Sequence, residues 1–541
     1  MRTLLLFLLT TVSVFAQAPA PEIERLAERL SRADAIGRRA DEASWFRRAA
    51  TYEEQRGALA DLAGGFPGID EAALDDDRWI DLQILRAMVE YRLVDLGFDL
   101  AEPTFLLPSA KEVGDSLGGS ESRVVDLYAG LAELPSRLLD AAAGSAPLSR
   151  PRAEAAVVRI EEVRALLASR GPKAEAMLAA FGDRPEGARI GADLALDLYR
   201  RELEGRLPRS VPDAPGVGRE RFEARLRLWH RIDLPLDEIV ATAEREMERV
   251  EGLLAETAAS IEPGKSWRDI TEEMKSSGPG PDELVDFCRH TKEEAVELIR
   301  EKRFVPLPDY ATNCGVKGHD TKGHYPYAYY QPARGENLRG EFVVTTVGDW
   351  MTEAQRLQKT RDSNRHWMRV VTVHEALPGH HLQFAMAARA SNAIRGRYYT
   401  PFFSEGWGLY CEELMWEHGF MPDPRTRIAQ LRMRLWRCAR VLCDVGIHTR
   451  TMTPEQAIGL LVDRCLLEPD NAKKEVDRYL GSPTQPMSYL IGCLTFERMR
   501  REYRRLHGDR PDWELEFHTK LLSYGSVPLP AIERVVLGRS G

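Results

Sequence analysis

Apolar residues recur along the first half of the chain with the period of an α-helix. In the first such segment Ile23, Leu26 and Leu30 fall on one helical face, and charged residues occupy the opposite one. The same period continues in four further segments, at residues 72–96, 121–143, 152–169 and 219–256. Clusters of proline and glycine at 207–218 and 276–281 interrupt it and indicate loops or subdomain junctions. Helical periodicity returns in the last third of the chain, so the pattern predicts a mainly α fold.

One internal stretch is rich in strand-forming residues instead. Residues 325–346 hold an aromatic run, a turn-rich segment at 332–340 and then a β-branched run, which together predict a β-hairpin. Just before it, the glycine-rich segment 315–323 contains His319 and is followed directly by His324. We expect this segment to be a flexible loop rather than a second metal site. The predicted fold is therefore mainly α with a small sheet or hairpin.

The beginning of the chain has a pattern typical of exported proteins. Arg2 precedes an apolar run that starts at Leu4, and an Ala-Gln-Ala site follows at 16–18. This pattern predicts a signal peptide over residues 1–18 and export to the periplasm or the medium after its cleavage. No later run approaches the roughly 20 apolar residues that a membrane-spanning helix needs, so we expect no membrane span.

The composition is that of a folded, mildly acidic protein. Of its 541 residues 43% are hydrophobic and 29% charged, which excludes a disordered chain. The net charge is −10 and no basic stripe stands out, so nucleic acid is not an expected partner. The seven cysteines form no CxxC pair, which argues against a thiolate zinc site. We expect most of them to be small buried side chains, with any disulfide pairing left open.

Three of the twelve histidines fall within eight residues, at His374, His380 and His381. A histidine followed by glutamate, here Glu375, and then by another histidine is how helical zinc peptidases present two ligands and a general base. The usual spacing of four fails here, because position 378 is proline and an ideal helix would put neither later histidine beside His374. We expect a local bulge at Pro378–Gly379 to bring His380 to the metal. The alternative is a turn with solvent-facing histidines.

A third ligand is expected downstream, where a second helix is predicted to begin. Glu405 lies 25 residues after His380, between aromatic residues and a glycine. This is an unusual setting for a solvated carboxylate. Glu412 lies two turns further along the same helical face and is the competing candidate. We favour Glu405 as the third metal ligand.

Several motifs resemble those of a bacterial family known as domain of unknown function 885. They are the segments His374–Gln383, Ser404–Tyr410, Glu475–Tyr479, Pro486–Gly492 and Glu516–His518. The resemblance spans most of the mature chain and is strongest from about residue 325. That family is in turn similar to the gluzincin (HExxH-type) zinc metallopeptidases, including the angiotensin-converting-enzyme type. The resemblance therefore implies a large helical gluzincin-like metallopeptidase fold, with the small sheet near the active site.

In gluzincins a His-Glu pair and a Gly-His pair supply two zinc ligands and the catalytic glutamate, and a later glutamate supplies the third ligand. Matched residue by residue, the resemblance implies zinc held by His374, His380 and Glu405, with a zinc-bound water activated by Glu375. The Gly-His match favours His380 over His381 as the ligand. His381 is then expected beside the metal ligands or facing the substrate.

Other residues are candidates for catalytic or substrate-binding roles near the metal. Tyr489 resembles the gluzincin tyrosine that stabilises the oxyanion, although a core tyrosine is the alternative, and His448 is a further candidate donor. Arg478 and Tyr479 are candidates to hold a substrate carboxylate, because arginine binds carboxylates through two parallel hydrogen bonds. The alternative for Arg478 is a structural ion pair. Gly340–Val344 resembles the edge strand with which gluzincins pair the substrate backbone.

Together these features predict an exported zinc metallopeptidase that hydrolyses short peptides. Residues 19–300 would form a helical region that walls the cleft, and 301–541 the zinc-binding catalytic region. The sequence leaves open whether the enzyme is a carboxypeptidase, an aminopeptidase or an endopeptidase. One alternative is a serine esterase that uses Ser116, which lies in a G-x-S-x-G motif but follows a poor strand. Another is a non-catalytic exported metal-binding protein, which would have no use for Glu375.

Overall fold

Helices make up 75% of the computed structural model, and a three-stranded sheet accompanies them, which confirms the predicted mainly α class. The structure describes residues 21–538 with gaps, at residues 43–44, 101–106, 120–122, 126, 129, 131–149, 179–184, 210–215, 321–326 and 333–337. The signal peptide predicted over residues 1–18 and His324 lie outside the described residues. No helix in the part of the chain that the structure describes is long and apolar enough to span a membrane.

The predicted apolar segments at 23–30, 72–96, 152–169 and 219–256 lie in helices, the last of them divided between two, and segment 121–143 lies mostly outside the described residues. The helices of the N-terminal half are more numerous than these segments. They are α1 Pro21–Glu42, α2 Trp45–Ala63, α3 Asp76–Leu100, α4 Ala110–Leu117, α5 Arg150–Leu178, α6 Pro185–Arg206, α7 Arg219–Ala224, α8 Leu236–Ile261, α9 Trp267–Met274 and α10 Leu284–Lys302. In α8 the apolar side chains of Ile239, Met247 and Val250 are buried, as the spacing predicts. Helix α9 begins with a reciprocal cap, in which Ser266 accepts from the backbone NH of Asp269 and the Asp269 carboxylate accepts from that of Ser266.

The helices of the C-terminal half surround one central helix, α15. They are α11 Glu353–Asp362, α12 Arg365–Glu375, α13 His380–Arg389, α14 Pro401–Glu417, α15 Pro424–His448, α16 Pro454–Cys465, α17 Pro469–Gly481, α18 Gln485–His507, α19 Trp513–Leu522 and α20 Leu529–Leu537. Helix α15 packs against α8, α12, α16 and α18, and nearly all of its residues are buried. A helix surrounded in this way has no solvent face, so its charged residues must find partners inside the protein.

The sheet lies between α10 and α11 in sequence and has the strand order β1-β3-β2. Strand β2 (Ala328–Gln331) pairs antiparallel with β3 (Gly340–Thr345), which confirms the predicted hairpin. Strand β1 (Cys314–His319) pairs in parallel with the other side of β3. The prediction of a flexible loop was therefore wrong for the first part of 315–323. The edge-strand prediction for Gly340–Val344 was also wrong, because β3 is the central strand.

The main hydrophobic core draws on both ends of the chain, from Ile23 in α1 to Leu537 in α20. A second core lies between Leu107 and Leu203 and includes side chains of α4, α5 and α6. The main core crosses the predicted boundary between residues 300 and 301, and the division into two regions stays a prediction. All seven cysteines are buried and free, as expected for small apolar side chains.

Candidate metal centre

The histidine motif folds as two helices with a break between them. Helix α12 ends at Glu375 and α13 begins at His380. A Cβ at Gly379 would lie 1.9 Å from the carbonyl oxygen of His374, so only glycine fits in the break. The expected bulge within one helix was wrong in form, because the segment ends one helix and starts another. Its expected effect is nevertheless present, since the His374 and His380 rings lie 4.7 Å apart between centroids.

Helix α14 lies against this break at close range. The indole NH of Trp407 donates to the carbonyl of Pro378 at 2.9 Å, which ties the break to the helix. A Cβ at Gly408 would lie 2.6 Å from Cε1 of His374, so the imidazole packs directly on the helix backbone. Trp407 therefore fixes the position of the break, and Gly408 leaves space for the imidazole ring of His374.

Glycines also let α14 and α18 cross in backbone contact. A Cβ at Gly406 would lie 2.6 Å from Cα of Gly492, and a Cβ at Gly492 would lie 2.0 Å from the carbonyl oxygen of Phe402. No larger residue fits at either position without separating the helices. This crossing brings Glu405 of α14 next to Tyr489 of α18.

The side chains of His374, His380 and Glu405 converge. Glu405 Oε2 lies 3.2 Å from His380 Nε2 and 3.6 Å from His374 Nε2. On its other side, His374 Nδ1 donates to Oε1 of Glu412 at 2.8 Å. Glu412, the competing ligand candidate, thus lies behind the histidine and orients it. Burial alone would lower the pKa of His374, but the carboxylates of Glu405 and Glu412 on its two sides raise it to about 9.

These three side chains fit a zinc ion. Zinc bonds of about 2.0–2.1 Å in tetrahedral geometry put neighbouring ligand atoms about 3.3 Å apart, close to the separations of Glu405 Oε2 from the two Nε2 atoms. That oxygen is buried and has no hydrogen-bond partner among the described residues. With Nδ1 of His374 bonded to Glu412, its Nε2 is available as a ligand. Two histidines and one glutamate are also a ligand set found in catalytic zinc sites.

The candidate centre lines a cavity of about 530 Å³. Oxygen and nitrogen atoms of Glu375, His374 and His380 lie within 4.8 Å of one another there. Burial raises the pKa of Glu375, so its carboxylate is a stronger base than one in water. All described residues that line the cavity lie between Tyr327 and Tyr489. No described residue of the N-terminal region lines this cavity, and the predicted role of that region as a wall of a larger cleft stays untested.

Tyr489 faces the candidate centre. Its ring stacks on that of His374 at 6.0 Å, and its hydroxyl accepts a hydrogen bond from Gln485 Nε2 at 3.2 Å. The same amide nitrogen lies 3.3 Å from Oε1 of Glu405, so Gln485 connects the two side chains. Asp444 holds the start of α18 in place, because its carboxylate accepts the backbone NH groups of residues 484 and 487. Burial raises the pKa of Tyr489, which keeps the phenol protonated at neutral pH.

His381 and His448 lie outside the cavity. His381 is fully buried, its Nδ1 lies 2.9 Å from the hydroxyl of Tyr330, and burial lowers its pKa to about 4. His448 lies in the core, where Nδ1 accepts from the backbone NH of Val217 and Nε2 donates to the carbonyl of Tyr479. Neither histidine lines the cavity. The structure thus does not favour a contact between His381 and the substrate. It also does not favour His448 as a hydrogen-bond donor to the substrate.

The two substrate-binding candidates differ from each other. Tyr479 is fully buried, and its hydroxyl accepts from Trp436 and Arg440, so it lies behind the cavity. Arg478 lines the cavity and forms the structural ion pair with Glu475 at 2.9 Å. Its role toward substrate stays a prediction.

The esterase motif lies in a helix. Ser116 belongs to α4, and its hydroxyl donates to the carbonyl of Glu112 at 2.8 Å. The described residues just before it, 107–109, form a loop rather than a strand. A nucleophile elbow needs a strand before the serine, so this placement does not favour serine chemistry.

Sequence reasoning missed three residues that the structure places beside the candidate centre. Gln485 connects Glu405 to Tyr489, and the guanidinium groups of Arg437 and Arg440 line the cavity. Both arginines interrupt an otherwise largely apolar stretch of α15, which is the signal that could have found them. The direction in which their side chains point depends on how the surrounding helices pack against α15.

Fold and site together define a mainly helical protein with a candidate two-histidine, one-carboxylate metal centre in a cavity. The chain belongs to the family described as bacterial protein of unknown function (DUF885), whose model matches residues 25–536. The fold is similar to that of a protein described as a putative lipoprotein of unknown function from Shewanella oneidensis, with 18% identity, a TM-score of 0.68 and coverage of 96% of this chain and 100% of the other. It is also similar to a putative lipoprotein from Colwellia psychrerythraea, with 18% identity, a TM-score of 0.63 and coverage of 95% and 98%. A comparison with curated proteins gave no match.

Proposed function

We propose that this protein is an exported zinc metallopeptidase with a gluzincin-like site. The observation that carries the proposal is the convergence of His374 Nε2 and His380 Nε2 on the buried Oε2 of Glu405, with Glu375 beside them. Structural zinc sites are usually closed by four protein ligands, whereas catalytic sites have three and keep one position for water or substrate. Three protein ligands beside a cavity, with the carboxylate of Glu375 next to them, correspond to the catalytic type.

Each residue then has a chemical task. Zinc, when bound, supplies a Lewis acid that works at neutral pH. Glu375 accepts a proton from the attacking water and passes it to the leaving amine. Tyr489 donates its phenolic hydrogen to the oxygen that becomes negative, because Gln485 occupies the lone pair of the hydroxyl and leaves its proton available. Glu412 keeps the His374 ring in the orientation and tautomer that a ligand needs.

The cavity suits short or extended peptides. Its volume of about 530 Å³ holds a few residues and no folded domain. Strand β2 is an edge of the sheet, and Ala328, Tyr329 and Tyr330 line the cavity. An extended peptide can add to that edge through backbone hydrogen bonds. Strand β2 takes the role that the sequence suggested for Gly340–Val344.

Export is supported by two observations. Residues 1–18 have the pattern of a signal peptide, and both similar structures are of proteins described as putative lipoproteins. Cell fractionation tests this part of the proposal. Expression of the full chain should give a processed protein outside the cytoplasm, and retention of the leader in the cytoplasm would contradict it.

The decisive variant is Glu375→Gln. Removal of a general base reduces kcat by about 10²–10⁴-fold, and we expect peptide hydrolysis to fall by this amount while zinc content stays near one per chain. Peptide hydrolysis is measured by mass spectrometry of a peptide library treated with the zinc-loaded protein. Zinc content is measured by elemental analysis after dialysis. Glu417→Gln is the matched control, because this carboxylate lies on α14 in an exposed ion pair with Arg500.

The outcomes separate the proposal from its alternatives. Full activity in Glu375→Gln would contradict the mechanism. Zinc binding without hydrolysis of any peptide would favour a non-catalytic metal-binding protein. Activity lost in Ser116→Ala but kept in Glu375→Gln would favour the serine esterase.

A further inference from the structure

One wall of the cavity is cationic. Helix α15 contributes Trp436, Arg437 and Arg440 to this wall, and α17 contributes Arg478. Arg437 and Arg440 are three residues apart on one helical face, so both guanidinium groups face the same space. We name the three arginines, Arg437, Arg440 and Arg478, the arginine wall.

The arginine wall has more guanidinium groups than carboxylates in direct contact with it. Arg440 Nη2 and Arg478 Nη2 both contact the same oxygen of Glu475, each at 2.9 Å. Arg437 Nη2 lies 4.0 Å from Glu412, whose Oε1 is already bonded to His374. Three guanidinium groups therefore share one dedicated carboxylate.

Two of these arginines also have unused hydrogen-bond donors. Arg437 and Arg440 are each only 5% exposed, yet Arg437 Nε and Arg440 Nη1 have no acceptor among the described residues. Arg434, one turn before Arg437 on α15, shows the usual arrangement, because its guanidinium is paired with Glu246 and Glu497. A buried donor without an acceptor is costly. Arg432 Nε on the same helix also has no acceptor, but Arg432 does not line the cavity, whereas Arg437 and Arg440 do. Their position at the cavity points to an anionic ligand.

The arginine wall is rigid and close to the candidate metal centre. The Arg440 guanidinium lies over the rings of Trp436 and Tyr489, at 4.1 and 4.5 Å from their centroids. The ring of Tyr489 in turn stacks on His374. A single aromatic ring thus separates the arginine wall from the metal ligands. An anionic group bound there would lie within one or two residues of a peptide bond at the centre.

We propose that the substrate is a peptide with a free C-terminal carboxylate, which the arginine wall binds, so that the enzyme removes a short C-terminal fragment. This inference rests on the proposed function. Guanidinium groups bind carboxylates in parallel hydrogen bonds of matching geometry. Water adds across the bond, its hydroxyl going to the carbonyl carbon and its proton to the released amine. Binding of the carboxylate neutralises the excess charge and selects the chain end.

The test compares peptides that differ only at their ends. One sequence is prepared as the free acid, as the C-terminal amide and as the N-acetylated acid, and kcat/KM of the zinc-loaded protein is measured for each. We expect the amide to be hydrolysed at least 100-fold more slowly than the acid and N-acetylation to have no effect. In Arg440→Gln the ratio of kcat/KM for the acid to kcat/KM for the amide should fall to about one. Arg432→Lys is the control, because that arginine lies on α15 but donates to the carbonyls of residues 465 and 466.

A binding measurement keeps the test independent of turnover and of the folding of Arg440→Gln. Calorimetry on zinc-loaded Glu375→Gln should show the acid binding at least tenfold more tightly than the amide. Equal hydrolysis of acid and amide, abolished in Glu375→Gln, would overturn the C-terminal inference and leave the proposed function standing. If a C-terminal amide that contains a glutamate side chain is hydrolysed as fast as the free acid, the C-terminal inference is overturned too. The arginine wall would then bind acidic side chains of the substrate. Absence of hydrolysis for every peptide would overturn the proposed function itself.

Discussion

Helix α14 supports two buried histidine regions that differ in their partners. Around His518, Nδ1 donates to the carbonyl of Phe304 at 2.6 Å, Nε2 accepts from the hydroxyl of Tyr410 at 2.7 Å, and burial lowers the pKa to about 4. Around His374, one nitrogen bonds to Glu412 and the other faces Glu405, and the pKa is raised to about 9. A histidine whose two nitrogens are both hydrogen-bonded to neutral partners has a structural role. A histidine whose ring lies between carboxylates is suited to bind a cation.

The largest effect that this comparison predicts is loss of the metal from His380→Ala. His380 Nε2 lies 3.2 Å from Glu405 Oε2, whereas the buried ring of His381 is bonded to Tyr330. Removal of a ligand should cost more than the 10–100-fold typical of residues behind the ligands. We expect zinc affinity to fall more than 100-fold in His380→Ala and to change little in His381→Ala, as measured by competition with a chelator. Loss of zinc in His381→Ala alone would move the ligand by one residue.

A smaller effect is expected for Glu412→Gln. The amide oxygen of glutamine accepts the Nδ1 hydrogen of His374 more weakly than the carboxylate does, so the preferred tautomer and ring orientation are less stabilised. Zinc affinity should fall by about 10–100-fold with the three ligands intact. Tyr410→Phe is the control, because it removes the hydrogen bond to His518 from the same helix and should leave zinc affinity unchanged. Equal losses in both variants would mean that α14 stabilises the centre only through packing.

Motif spacing allowed the side chains of the candidate centre to be proposed, but not how the chain presents them. His374, Glu375, His380 and Glu405 were found because their chemistry is concentrated in two short segments. The form of the break at Gly379 depends on contacts with Trp407 and Gly408 of α14, which lie more than 25 residues further along the chain. The same holds for β1, whose partner in β3 is far along the chain. Long-range packing thus decides the details that local patterns leave open.

The arginine wall teaches a related lesson. Hydrophobic periodicity assigns a buried face only when the opposite face is solvated. Helix α15 is buried on all sides, so its sequence pattern does not distinguish its arginines from one another. Arg434 pairs with carboxylates in the core, whereas Arg437 and Arg440 line the cavity. Glu412 shows the same effect in α14, where shared helical phase with Glu405 suggested a rival ligand. The structure assigns it to the other nitrogen of His374.

The smallest predicted effect concerns pH and the structural histidine. The pKa of His518 is lowered to about 4 in the folded protein, whereas a histidine in an unfolded chain has a pKa of about 6.5. As the pH falls below 6.5, the unfolded chain binds a proton that the folded protein excludes until about pH 4. This histidine therefore contributes stability that is present above pH 6.5 and is lost as the solution is acidified.

His518→Gln removes this proton-linked term. Between pH 7 and 5.5 the free energy of unfolding of the wild type should fall by about 1 kcal/mol more than that of the variant. Urea denaturation of the metal-free protein at the two pH values measures the difference, and the metal-free form keeps protonation of the candidate ligands the same in both proteins. The variant will be less stable at pH 7, because glutamine cannot reproduce both hydrogen bonds, so only the change with pH is diagnostic. Parallel pH dependence in the two proteins would show that His518 accepts a proton in the folded state as readily as in the unfolded chain, and the contrast with His374 would then lie in geometry alone.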